Sequence, residues 1–301
     1  MRKKALIDNF LFVLGGDSFS ALSVFEMPDE YIDALRLYGD NLYLDYSPSY
    51  LHCHDLFKKL FNSKVITQER IFMKTPPSLR YSSTPCTIYD YLMHQLSDLS
   101  LEKCATLFLN KFMLKDIKEF LESSFIDALF DQRIVNSISL ILGSEVDDDL
   151  IQVLTANQAR IGNISVLSNY FSIFKENKKL NPLFNILIRS IYSSGFISSY
   201  FEENTCSRHI QIGLDKLPQY QERCDYLHIL NKLGLLTKAN CFHFPVYLSK
   251  AHGIILASKD PCHIVDVYES IKLHDKFISE NKDSIDLFLS ISEDYAFLVQ
   301  N

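Results

Sequence analysis

The sequence predicts an α/β fold: a mostly parallel sheet flanked by helices, three-layer and doubly wound, with helical insertions. Two observations carry this. First, continuous apolar runs recur at Phe10–Leu14, Ser137–Leu142 and Gly253–Ala257, each ending in glycine or a small polar turn. Strands buried on both faces look like this, and parallel sheets contain such strands. Second, a stretch with helical spacing comes after each of these runs, and strand–helix alternation along a chain builds a parallel sheet.

Taken in order, the strand Phe10–Leu14 stops at Gly15-Gly16-Asp17-Ser18. Asp29–Leu37 has helical spacing and ends at Gly39, and Asn41–Tyr46 is short, aromatic and strand-like. His52–Phe61 reads as a helix. Val65-Ile66 and Ile71-Phe72-Met73 are short strand candidates, and Lys74–Pro85, rich in Pro, Ser and Thr, reads as loop. Thr87-Ile-Tyr-Asp90 opens a helix with Ile88, Leu92, Leu96 and Leu99 on one face. Ala105–Leu109 fits a buried strand or part of a helix. Ile117, Phe120, Leu121, Phe125 and Leu129 form another apolar stripe. Ser137–Leu142 ends at Gly143, and Ser144-x-x-Asp147 then caps a helix carrying Leu150, Ile151 and Leu154.

Ile164–Phe174 and Pro182–Tyr192 read as further helices, the second with Asn181 as cap, Pro182 at its first position and Gly195 past its end. Leu217–Leu233 is a long amphipathic helix closed by Gly234. Phe242–Leu248 alternates as a strand, placed at a sheet edge by Pro245. Gly253–Ala257 is a strand, and Ile264 to about Phe277 a helix. The organisation expected is one α/β domain over 1–301 with a helical insertion around 145–235.

With 301 residues, 47% of them hydrophobic, the chain has ample material for a core. No run is long and apolar enough to predict a membrane span. Met1-Arg-Lys-Lys is basic, but Asp8 and Asn9 come next and no small-residue cleavage site does, so the start reads as native. Seven scattered cysteines read as reduced thiols in a cytoplasmic protein. A net charge of −7 argues against broad binding of nucleic acid or anionic membrane.

The turn after the first strand is the most informative segment. Gly-Gly is a hairpin signal, and Leu11–Leu14 with Ala21–Phe25 would form the two arms. Leu14-Gly-Gly-Asp-Ser18 also looks like a phosphopantetheine attachment site. Too little chain precedes Ser18 for a carrier domain, however, and Pro28 interrupts the long helix needed after the serine. A third reading is a nucleophile turn, with the Ser18 hydroxyl presented at a strand's C-terminal end. A serine nucleophile needs a base, and the base an orienting acid. Asp260-Pro-Cys-His263 lies directly after the strand Gly253–Ala257 and opens a helix, so Asp260 also reads as a helix cap. Asp225 and His228 have the same spacing inside a helix, where it is surface decoration.

Gly16-Asp17-Ser18 with the late Asp260-x-x-His263 resembles the GDSL (SGNH) hydrolases. The resemblance implies Ser18 as nucleophile, His263 as general base and Asp260 as its orienting acid. The Ser18 backbone N–H, aided by Asn110 or the Gly143 backbone, would form the oxyanion hole. The expected reaction is hydrolysis or transfer of an acyl ester, on a small-molecule, carbohydrate or lipid ester, with no cofactor and no metal. The glycine of the family's second block has no counterpart in Leu79–Thr84.

Other constellations have plainer readings. Asp147-Asp148-Asp149 suits the first turn of a helix. His52-Cys53-His54, Cys206-x-x-His209, Cys241-x-His243 and Cys262-His263 lack the Cys-x-x-Cys spacing of a structural zinc site. The alternative to an esterase is a non-catalytic interaction or regulatory protein. Residues 206–259 carry seven Lys and Arg against three Asp and Glu. A helix and then two strands there resemble a winged helix, with Lys232, Lys238 and Lys250 on one face.

Overall fold

A computed structural model describes residues 9–15, 29–49, 53–76, 84–109, 114–142, 146–171, 173, 180–189, 191, 197, 219–256, 258 and 260–295. Eight parallel strands close into a barrel in chain order. They are β1 (Leu11–Leu14), β2 (Leu42–Tyr46), β3 (Ile71–Lys74), β4 (Cys104–Leu109), β5 (Val135–Ile141), β6 (Ile161–Leu167), β7 (Asn185–Arg189) and β8 (Gly253–Leu256). Between and after them lie α1 (Asp29–Arg36), α2 (Cys53–Asn62), α3 (Pro85–Asp98), α4 (Leu114–Leu121), α5 (Ser124–Asp131), α6 (Asp148–Ala156), α7 (Tyr220–Lys232), α8 (Lys238–Leu248), α9 (Pro261–Glu280) and α10 (Lys282–Asp294).

The expectation of parallel strands flanked by helices holds, but the sheet is not an open three-layer one. β8 pairs with β1 in parallel, from Leu11↔Gly253 to Leu14↔Leu256, and this closure leaves no sheet edge. Two expected helices are barrel strands. The Ile164–Phe174 stretch begins inside β6 and covers its second half, and Pro182–Tyr192 contains β7; both strands are largely buried on both faces, so no period separates them from helix. The reverse error falls on Phe242–Leu248. It is the body of α8, which is buried continuously from Asn240 to Val246 and carries Pro245 inside it. With that strand gone and β8 built into the barrel, no wing exists and the winged-helix reading falls.

Side chains alternate along each strand. Outward residues such as Phe12, Leu14, Leu44, Met73, Leu107, Leu140, Val166, Ile188 and Ile254 pack on the helices in one large apolar cluster. Inward residues fill the barrel, where Val13, Phe72, Phe108, Ile141, Leu187 and Ile255 cluster separately. A third cluster unites Tyr170 and Phe171 with Tyr226, Leu230, Phe244, Ile278 and Phe288 from α7 to α10.

The inward positions are not uniform. β2, β3 and β4 contribute Tyr43, Phe72 and Phe108, with rings in contact at centroid distances of 5.2 and 5.8 Å. β4 to β7 contribute a ladder of small polar groups. Ser137 Oγ donates to Thr106 Oγ1 at 3.1 Å, Asn163 Nδ2 to Ser139 Oγ at 3.0 Å, and Asn185 Nδ2 to Asn163 Oδ1 at 3.4 Å.

Candidate active site

In barrels of eight parallel strands the chemistry sits at the C-terminal ends of the strands, because the loops that differ between proteins leave from there. At that end β2 and β3 each finish near an inward ionisable residue. Asp45 precedes the last residue of β2, and Lys74 ends β3. Lys74 Nζ lies 3.2 Å from Asp45 Oδ2. The aspartate side chain is 0% exposed and the lysine's 11%. Removing both charges from water costs several kcal/mol per ion before attraction offsets it. A strand end filled by leucine would avoid that cost, which makes the pair the candidate site at this end of the barrel.

The surroundings fix both partners. A Cβ on Gly15, just past β1, would lie 2.3 Å from Asp45 Cβ, so only glycine lets β1 end against this carboxylate. Gly15 N–H donates to Leu256 O at 3.0 Å, which ties β1 to β8 at the same level. The first glycine of the Gly-Gly signal thus serves the Asp45 contact. Tyr91 of α3 donates its hydroxyl to the Lys74 carbonyl at 2.9 Å. Thr75 N–H donates to Phe108 O at 2.9 Å, extending the β3–β4 ladder past the lysine. Lys74 Nζ stands 5.7 Å from the centroid of the Phe108 ring.

Three other titratable groups lie behind the pair. Burial pushes the Cys53 thiol up to about 12, so it stays protonated at neutral pH and is no nucleophile. Burial, then Cys53 and Asp98, pushes the Tyr46 phenol up to about 12. Burial also raises the Tyr91 phenol. None of these supplies a base near pH 7.

Of the residues expected to form a hydrolase site, Ser18, Asn110 and Gly143 lie outside the described residues. Asp260 is the N-cap of α9, and its Oδ1 accepts from Cys262 N at 2.9 Å. His263 Nδ1 lies 3.0 Å from Ser258 Oγ. Of the cysteine and histidine pairs singled out in the sequence, His243 has a partner imidazole elsewhere. Its Nδ1 is 2.9 Å from His274 Nδ1, in the buried contact between α8 and α9. No group of three His, Cys, Asp or Glu able to hold a metal occurs among the described residues. None of the described helices is long and apolar enough to cross a membrane.

No protein-family model and no curated protein matches this sequence. A solved structure from Pseudomonas aeruginosa, provisionally described as an aldo-keto reductase, is similar to this chain. The likeness covers 87% of this chain and 90% of that one, with 12% identity and a TM-score of 0.50. At that identity the likeness shows the fold. It overturns the resemblance to the GDSL hydrolases, which implied an open sheet, and the hydrolase and esterase assignment falls with it. Sequence reasoning missed Asp45 and Lys74. The signal that could have found them is an ionisable residue at the end of each of two short, otherwise apolar strands.

Proposed function

We propose that this chain is an oxidoreductase that reduces an aldehyde or ketone at the C-terminal mouth of its barrel, with Lys74 as the group that meets the carbonyl oxygen. The observation that carries the reading is the buried Asp45–Lys74 pair at the ends of adjacent strands. The fold-level likeness to a protein described as an aldo-keto reductase supports it by analogy.

Carbonyl reduction adds a hydride to carbon while the C=O π electrons move onto oxygen, which then takes a proton. The developing charge therefore sits on oxygen, and a fixed cation beside that oxygen lowers the barrier. Lys74 is such a cation. Its ammonium donates a hydrogen bond to the carbonyl oxygen and hands over a proton as the alkoxide forms. Asp45 holds the ammonium in place, 3.2 Å from its Oδ2. Burial strengthens both effects, since charges interact more strongly away from water.

The chain has no hydride of its own, so an external donor is required. Barrels often seat a nucleotide phosphate beyond β8, at a helix N-terminus. Here the Asp260 carboxylate already accepts from Cys262 N–H at that terminus on α9, so the donor's phosphates would be held elsewhere at the mouth.

The test is steady-state oxidation of NADH and of NADPH against a panel of aldehydes and ketones. The wild-type protein turns over at least one of them, and Lys74→Met lowers kcat by roughly 10²–10³-fold, the size of losing one oxyanion partner. Folded wild-type protein without turnover on any pair would sink the reading.

A further inference from the structure

Lysine is a poor fixed point. Its ammonium rides on a flexible four-carbon stem, so its position depends on every group that holds it. Besides Asp45, the structure gives it an aromatic anchor. Lys74 and Phe108 are register partners on β3 and β4, and both face the barrel interior. Phe108 is 0% exposed, and its ring is braced edge-on by Phe72 at 81°, with Phe72 braced in turn by Tyr43. The Nζ-to-centroid distance of 5.7 Å is within the range where the negative face of a ring attracts a cation.

We propose that Phe108 is a positioning residue: its ring holds the Lys74 ammonium against Asp45 and so sets where the carbonyl oxygen is met. This rests on the reading of Lys74 above. It adds a specific claim about the ring, namely that its electrons matter as well as its volume. A leucine at 108 would fill much of the space and exert no such pull. Fixing the head matters because a misplacement of about 1 Å can cost up to about 10²-fold in rate.

The experiment replaces Phe108 by mono-, di- and trifluorophenylalanine. Fluorine drains charge from the ring face while nearly keeping its shape, so folding is preserved across the series. Phe108→Leu is made alongside. The first readout is the rate at which cyanate carbamylates Lys74, measured by mass spectrometry of the Lys74 peptide, which requires no turnover. A head less firmly held as an ammonium is carbamylated faster. The rate is expected to climb stepwise with fluorine number, to about three- to fivefold for the trifluoro ring, matching the energy of one cation–π contact. The second readout is reduction, where kcat falls along the same series while KM holds. Equal carbamylation rates across the fluorinated series would overturn the proposal. Stepwise labelling in a protein that reduces nothing would uphold the Phe108 contact and remove the reductase reading instead.

Discussion

The two sides of the barrel interior solve the problem of burying polar atoms in different ways. Between β4 and β7 a run of small neutral groups bonds to itself, from Thr106 through Ser139 to Asn163 and Asn185, and Arg189 at the end of β7 donates to Leu142 O. Between β2 and β3 the polar groups are charged, and they sit at the strand ends over an aromatic floor of Tyr43, Phe72 and Phe108. In the ladder the hydroxyls and amides bond mainly to one another. A buried ion pair at the mouth of a barrel costs stability, and under the proposed function it holds the cation that meets the substrate.

The largest effect that separates the two sides is expected at Lys74. Lys74→Met leaves the Asp45 carboxylate buried without its cation and lowers stability by about 3–5 kcal/mol in denaturant unfolding, as breaking a buried pair does. The double variant Lys74→Met, Asp45→Leu recovers most of that stability, because the unpaired charge is gone, and recovers no turnover. A double variant as unstable as the single one would show that the pair is structural.

Next comes Gly15→Ala. The added methyl falls onto Asp45 and must displace it. Overpacking of this kind costs about 1–3 kcal/mol. Here it also shifts the dyad, so turnover per folded molecule drops by roughly tenfold or more. On the other wall, Asn163→Leu removes the donor to Ser139 Oγ and the acceptor for Asn185 Nδ2. Stability falls by about 1–3 kcal/mol, the cost of orphaned buried groups, and turnover per folded molecule stays within about twofold. A loss of turnover at Asn163 as deep as at Gly15 would erase the distinction between the walls.

An effect on stability alone, dependent on pH, separates both walls from the helical layer. His243 and His274 are buried against each other, and Phe277 stacks on His243 at 4.1 Å. Burial and the neighbouring His274 pull His243 down to about 3. Burial pulls His274 down to about 4, against a small upward pull from Asp275. Both imidazoles are therefore neutral in the folded chain and protonate near their ordinary value of 6.5 when it unfolds. Below that pH the unfolded state binds more protons, so stability falls with falling pH, by at most about 1.4 kcal/mol per unit for each histidine. Denaturation midpoints at pH 7 and pH 5 check this. Replacing both histidines by leucine flattens the difference, and an unchanged pH dependence would place the acid sensitivity elsewhere.

The strands legible in the sequence are those whose neighbours punctuate them. β1 before Gly15, β5 before Gly143 and β8 before Ser258 all stand where the apolar runs and their turns place them. β6 and β7 read as helices because Ile161–Leu167 and Asn185–Arg189 are short and largely buried on both faces, where periodicity carries no information. α8 reads as a strand because its aromatic and branched residues favour one, and burial all round overrides that preference. Closure of the sheet has no local signature, since a strand in a barrel and a central strand of an open sheet look alike. The candidate site escapes a sequence reading for a related reason. Asp45 and Lys74 are 29 residues apart, and only the β2–β3 pairing brings them together.

The central claim is that the Asp45–Lys74 pair does chemistry. It is tested most directly by the reduction rate of the wild-type protein beside that of the Lys74→Met, Asp45→Leu double variant, both confirmed folded, with NADH or NADPH and an aldehyde that the wild type accepts. The account predicts wild-type turnover and a double variant that is as stable but at least about 10²-fold slower. A double variant that reduces the aldehyde as fast as the wild type would contradict it.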